Sequence, residues 1–310
     1  MIFLLAVALS MAQVAPSEFS KLVASASSHI LQRRLDSAIQ DLTKAAALEP
    51  RSASVHLLLG QTYLAKGAAE FVAQAKAEFQ QARDLDASQV LPSFYIAKID
   101  LDLGRLIQAE RELRRALQQQ PGEQFLLALL GETRRRQGHP EEAIDLTTKA
   151  LAAGPGAFPV HYYRALAYWD RQDEARALQD LDRLLNSPFA TVDAFVAAGN
   201  IHLQKNRFDQ AEPAFRKALQ LDSTRAEAHL RLAQALRGKK RFDAAWKELE
   251  LVEAAPQLSS PYYQRLSADA ACERGLIRND QGDRAAANVW FQRALEIDPS
   301  HPESLSRLKP

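Results

Sequence analysis

A single cysteine, Cys272, stands among the 310 residues, so neither an intrachain disulfide framework nor a cysteine-rich zinc site holds this chain together. Charge of one sign is lacking too. The 39 basic residues face 38 acidic ones, and a formal net charge of +1 gives no global field to steer the chain toward nucleic acid or anionic lipid. Long hydrophobic runs are missing as well: the apolar opening Met1–Ala12 (MIFLLAVALSMA) is shorter than the ~20 residues that span a bilayer. No glycine-rich phosphate loop, nucleophile elbow or metal-spaced cluster is found, so catalytic residues, metal and cofactor are all expected to be none. What remains is 47% hydrophobic and 25% charged residues, the balance of a folded chain stabilised by burial of apolar surface.

The opening segment resembles the hydrophobic part of a secretory signal peptide. Small residues Ser10 and Ala12 precede a candidate cut before Gln13, although no basic residue stands ahead of the run. The expectation is an exported protein, periplasmic or secreted, and otherwise a cytoplasmic one whose residues 1–12 form an apolar cap.

The strongest pattern is a period. Alanine recurs every 34 residues at Ala75, Ala109, Ala143, Ala177, Ala211 and Ala245, with Ala38 lying 37 residues before this series and Ala287 42 after it. Other slots keep step. Twelve residues before each alanine stand Ala26, Gly60, Ala97, Gly131, Ala165, Gly199, Ala233 and Gly275. Four residues after it come Leu42, Phe79, Leu113, Thr147, Leu181, Phe215, Leu249 and Phe291. Pro50, Pro121, Pro155 and Pro299 close four of the eight units.

This unit resembles the tetratricopeptide repeat. The resemblance implies an all-α, right-handed superhelical solenoid of eight helix-turn-helix units, here about 19–52, 53–89, 90–123, 124–157, 158–191, 192–225, 226–259 and 260–301, with residues 302–310 as a short C-terminal capping helix. Gly67, Gly104, Gly138, Asn206 and Gly282 occupy the turns, being residues that tolerate the left-handed conformation that ends a helix. The three extra residues before Ala75 are expected to lengthen the turn at 67–70. The eight before Ala287 are expected to start the last unit's first helix early, near Pro261 behind a Ser260 cap.

The resemblance also implies a concave groove lined by the first helix of each unit, which holds a segment of a partner protein. Counting 18, 15, 11, 8 and 7 residues back from each alanine marks the face opposite the core, with Arg231 beside it. The groove residues expected are Phe94, Lys98, Glu132, Arg135, Arg136, Tyr162, Trp169, Asn200, Arg231 and Gln234, with Leu166, Gln204 and Arg237 beside them. Aromatic and arginine side chains are the types that most often anchor interfaces. Competing readings are plain packing for Tyr162 and Trp169, and solvated faces for Arg134–Arg136 and for Lys239–Arg241. Cys272 reads as a small groove-side residue, and His56, His161 and His229 as satisfied histidines of one recurring inward slot. Val23, Ser27 and Leu57 replace the lysine and asparagine set with which some members grip a chaperone's carboxylate tail. A non-catalytic scaffold for a protein partner is therefore expected, with a glycan- or small-ligand-binding module using the groove aromatics as the alternative, and no nucleic acid or stable membrane span.

Overall fold

The computed structural model describes residues 17–308 apart from positions 68, 155, 157 and 254–260. Among the described residues every regular element is a helix, and none is long and apolar enough to cross a membrane. The Met1–Ala12 reading and the Ser260 cap lie outside the described residues. Contacts divide the chain into two units, residues 1–137 and 138–310.

The first unit holds α1 (Glu18–Leu31), α2 (Leu35–Leu48), α3 (Ala53–Lys66), α4 (Ala69–Leu85), α5 (Val90–Asp102), α6 (Leu106–Gln119) and α7 (Gln124–Arg136). Within it α1/α2, α3/α4 and α5/α6 pack as hairpins, and each hairpin packs on the next, with α7 against α5 and α6. The second unit holds α8 (Pro140–Ala153), α9 (Phe158–Asp170), α10 (Glu174–Leu185), α11 (Val192–Gln204), α12 (Phe208–Leu221), α13 (Ala226–Gly238), α14 (Phe242–Glu253), α15 (Pro261–Asp280), α16 (Arg284–Ile297) and α17 (Pro302–Arg307). Its hairpins are α9/α10, α11/α12, α13/α14 and α15/α16, with α17 against α16.

The recurring small residues are explained by contact. Gly60, Gly199 and Gly275 each lie so close to a phenylalanine of the same hairpin that an added Cβ would stand 2.5 Å from the ring of Phe79, Phe215 or Phe291. Where the small residue is alanine, as in Ala26, Ala97, Ala165 and Ala233, the partner slot holds leucine: Leu42, Leu113, Leu181 and Leu249. All of these alanines, leucines and phenylalanines are buried. The pairs thus conserve volume across the helix crossing, as close packing demands. Thr147, the one polar residue in the large slot, is buried too and donates its hydroxyl to the carbonyl of Ala143 at 2.7 Å.

Eight turns share one conformation. Gly67, Gly104, Gly138, Gly282 and Asn206 have φ between 56° and 87°, as their residue types suggested. Arg33, Gln172 and Lys240 also have φ of 56–60°, although none of these residue types favours it. They occupy the equivalent position, five residues before the repeat alanine, so register imposes the conformation.

The expectation for the spacing at 67–70 is corrected. Its extra residues do not lengthen the turn but add one helical turn to the start of α4, which begins at Ala69 and runs 17 residues. Glu70 suits a helix's first turn, and Phe71 stacks on Tyr63 with ring centroids 6.0 Å apart beneath the Lys66 ammonium. The other irregularity is as expected: α15 starts at Pro261 and runs 20 residues. Cys272 is corrected from groove-side to buried. It packs in a cluster with Ala287, Phe291 and Leu308, and burial pushes its thiol up to about 11.

Candidate functional site

Polar latches inside the hairpins settle which side chains are already committed. His56 Nδ1 lies 2.7 Å from Glu78, His161 Nδ1 2.8 Å from Asp180 and His229 Nδ1 2.7 Å from Glu248, each pairing a hairpin's first helix with its second. Ser93 donates to Glu112 at 2.7 Å across the same position in α5/α6. The histidines are therefore structural, as their recurring slot suggested. At the α13/α14 turn, Lys239 reaches Glu212 at 3.0 Å and Arg241 reaches it at 2.9 Å. Lys239 and Arg241 thus tie the turn to α12, while Lys240 is exposed. Burial alone would raise the Glu212 carboxyl, but hydrogen bonds from Lys239 and Arg216 outweigh it and hold the group below its usual range.

In the first unit, α5 carries Phe94 and Lys98, and α7 carries Glu132, Arg135 and Arg136. Phe94 packs edge-on to Tyr95 with centroids 5.5 Å apart, and Lys98 is exposed and bridges to Asp102 at 3.0 Å. Glu132 is buried and accepts from Arg135 Nε at 2.8 Å and Arg136 Nε at 2.7 Å, so it orients two guanidinium groups of its own helix. Arg136 also donates to the Leu101 carbonyl at 3.2 Å, tying α7 to the end of α5. Arg134 turns the other way, toward Gln137 at 2.6 Å and Glu110 at 3.6 Å. The solvated reading of this arginine run is corrected for Arg134 and Arg135, which are mostly covered.

In the second unit, Tyr162, Leu166 and Trp169 on α9 meet Asn200 and Gln204 on α11 around one cavity of about 250 Å³. Ala165, Leu181, Val196 and Ile201, all buried, contribute to its apolar wall. The repeat positions explain the convergence: residues 15, 11 and 8 places before one alanine and 11 and 7 before the next lie on facing first helices. Asn200 Oδ1 is buried and has no hydrogen-bond partner among the described residues. Arg225, the N-cap of α13, lies at the rim with Asp193 at 2.7 Å and Glu227 at 3.6 Å. Tyr262 on α15 donates to Glu227 at 3.2 Å, and burial together with the Glu227 charge pushes its phenol up to about 12.

Arg231 and Gln234 are not part of this cavity. Arg231 donates to Gln234 at 3.1 Å, and Gln234 lines a separate space of about 650 Å³ with Phe208, Arg237 and Phe242. Arg237 is committed to Asp280 at 2.9 Å and to buried Glu273, whose carboxyl burial raises despite the arginine. Sequence reasoning missed Arg225, Asp193 and Glu227. The last two stand 18 residues before Ala211 and Ala245, a position already on the groove face, so their periodicity was a usable signal; Arg225 lies outside that set.

Comparisons with known proteins bear on the family and the fold. Tetratricopeptide repeat models match residues 94–158, 128–191, 202–270 and 268–301. The chain is 26% identical over 212 residues to "Cellulose synthase operon protein C" of Pseudomonas fluorescens, covering 65% of this chain and 17% of that protein. It therefore spans about one sixth of that relative's length. A tetratricopeptide repeat protein from Parabacteroides merdae superposes with a TM-score of 0.50 at 18% identity, covering 94% of this chain and 97% of that one. The APC/C hetero-tetramer Cut9–Hcn1 gives a TM-score of 0.67 at 16% identity over 93% of this chain and 54% of that one, a likeness of fold alone. With family matches along more than half of its length, the chain belongs to the tetratricopeptide repeat family.

Proposed function

We propose that the chain is a non-catalytic scaffold that holds a segment of a partner protein against the facing first helices α9 and α11. Tetratricopeptide repeat proteins generally mediate protein–protein interactions, and the Cut9–Hcn1 neighbour is itself a hetero-tetrameric assembly. The observation that carries the reading is the meeting of Tyr162, Trp169 and Asn200 at one cavity. Half-buried aromatic side chains beside an apolar wall are the usual anchors of an interface. The test places a photo-crosslinking amino acid at Ala197, on the cavity wall, in the native cell. A discrete polypeptide adduct that disappears with Trp169→Ala is expected. Adducts that persist in that variant, or none at all, refute the site.

The scaffold is proposed to work outside the cytoplasm, a reading supported by the apolar run Met1–Ala12. N-terminal sequencing of the mature protein checks this, and a chain that still begins at Met1 sinks it.

A further inference from the structure

Three features of the α9/α11 cavity bear on what kind of group fits it, granted that the face binds protein. The first is size. At about 250 Å³ it lies below the roughly 300–1,000 Å³ of pockets that enclose drug-sized ligands and cofactors, and it has room for one large side chain. The second is charge. Among the described residues that line the cavity the charged groups are Arg225, Asp193 and Glu227, and that guanidinium is shared by the two carboxylates, so no lining cation is left over for a phosphate or an acidic side chain. The third is a buried acceptor, Asn200 Oδ1, which shares the cavity with Gln204 and lies beside the apolar side chains of Leu166, Val196 and Ile201. A buried acceptor gains when an incoming group brings it a donor.

We propose that this cavity takes one large, uncharged apolar side chain of an extended partner segment, whose backbone N–H donates to Asn200 Oδ1. The apolar wall removes the side chain from water while Asn200 fixes the register of the backbone. An extended segment seated this way places alternate residues toward the groove and the others toward solvent.

The test uses N-acetyl-leucinamide as probe, titrated into the full chain and followed by amide chemical shifts. Its analogue methylated at the leucine nitrogen, N-acetyl-aspartamide and cellobiose serve as comparisons. Saturation at the resonances of Ala197 and Asn200 with a dissociation constant of about 1–10 mM is expected for so small a ligand. Ala197→Trp, which fills the cavity, should abolish it. Asn200→Ala should weaken it about fivefold and remove the preference over the N-methyl analogue. Saturation by cellobiose or N-acetyl-aspartamide at the same resonances, or unchanged leucinamide binding in the Ala197→Trp variant, overturns the assignment. A polypeptide adduct at Ala197 without leucinamide binding would overturn this subsite and leave the scaffold reading standing, whereas absence of both would overturn both.

Discussion

Replacing Gly199 by alanine and Phe215 by leucine, singly and together, tests the packing rule of the glycine–phenylalanine and alanine–leucine hairpins. A Cβ on Gly199 would stand 2.5 Å from Phe215 Cε1 and 2.7 Å from Cζ, and Phe215 has no exposed surface to retreat into. Overpacking of this kind costs about 1–3 kcal/mol, against which alanine returns up to about 1 kcal/mol of helix propensity. Gly199→Ala alone is therefore expected to lose up to about 2 kcal/mol. Phe215→Leu alone leaves space beside Gly199 and is expected to lose about 1–3 kcal/mol. The double variant recreates the alanine–leucine pair already present in Ala165/Leu181 and Ala233/Leu249, so it should fall close to the parent. The propensity gain appears in both the single and the double variant and cancels, and a double variant close to the parent makes the coupling the sum of the two single losses, about 1–5 kcal/mol. Urea unfolding followed by circular dichroism measures it. Strictly additive losses, with coupling below about 0.5 kcal/mol, would refute the account.

Gln172→Gly and Lys240→Gly should each stabilise the chain by about 0.5–1 kcal/mol in the same assay, because both residues sit at positive φ where a side chain is strained. Asp180→Asn should cost about 2–4 kcal/mol, since Arg164 donates to that carboxylate at 2.7 and 2.9 Å and His161 joins it. Burial opposes ionisation of Asp180, yet bonds from Arg164 and His161 hold its carboxyl below the ordinary range. Its contribution is thus present above the unfolded value near ~4 and lost as pH falls through the folded one, so the parent should lose stability in acid more steeply than the variant. His229 has the opposite sign: burial lowers its imidazole, but Glu248 and the Ser223 carbonyl raise it overall. Its stabilisation is complete below ~6.5 and fades as pH rises through the folded value, so His229→Gln should be most harmful at pH ~5 and less so at ~8.5, read from urea midpoints.

The fold could be read from the sequence because small and large slots recur together in eight units, with Thr147 the one polar departure in the large slot, and that register leaves one packing solution. Turn conformations were legible only where the residue itself tolerates positive φ, as at Gly104 and Asn206; Gln172 adopts it because its neighbours in the array require it. The start of α4 was misplaced because spacing records extra residues without saying which side of a turn takes them, and the ring of Phe71 on Tyr63 decides it. On the site, counting back from the repeat alanine brought Tyr162, Trp169 and Asn200 to one cavity. The same count placed Glu132 on the groove face but could not tell that it turns to its own arginines. Nor could it separate Gln234 into a different space, since that depends on which side chain pairs with Arg231 and Arg237.

The latches have a mechanical consequence. His161 and Asp180 are only 19 residues apart in sequence, and even the bond from Arg237 to Asp280 spans just 43. Ordering can thus begin at any hairpin and spread to its neighbours without closing long loops, which favours rapid folding. Pulled from its ends, such a chain should yield in a succession of small extensions, each about the length of one hairpin, instead of rupturing in a single event.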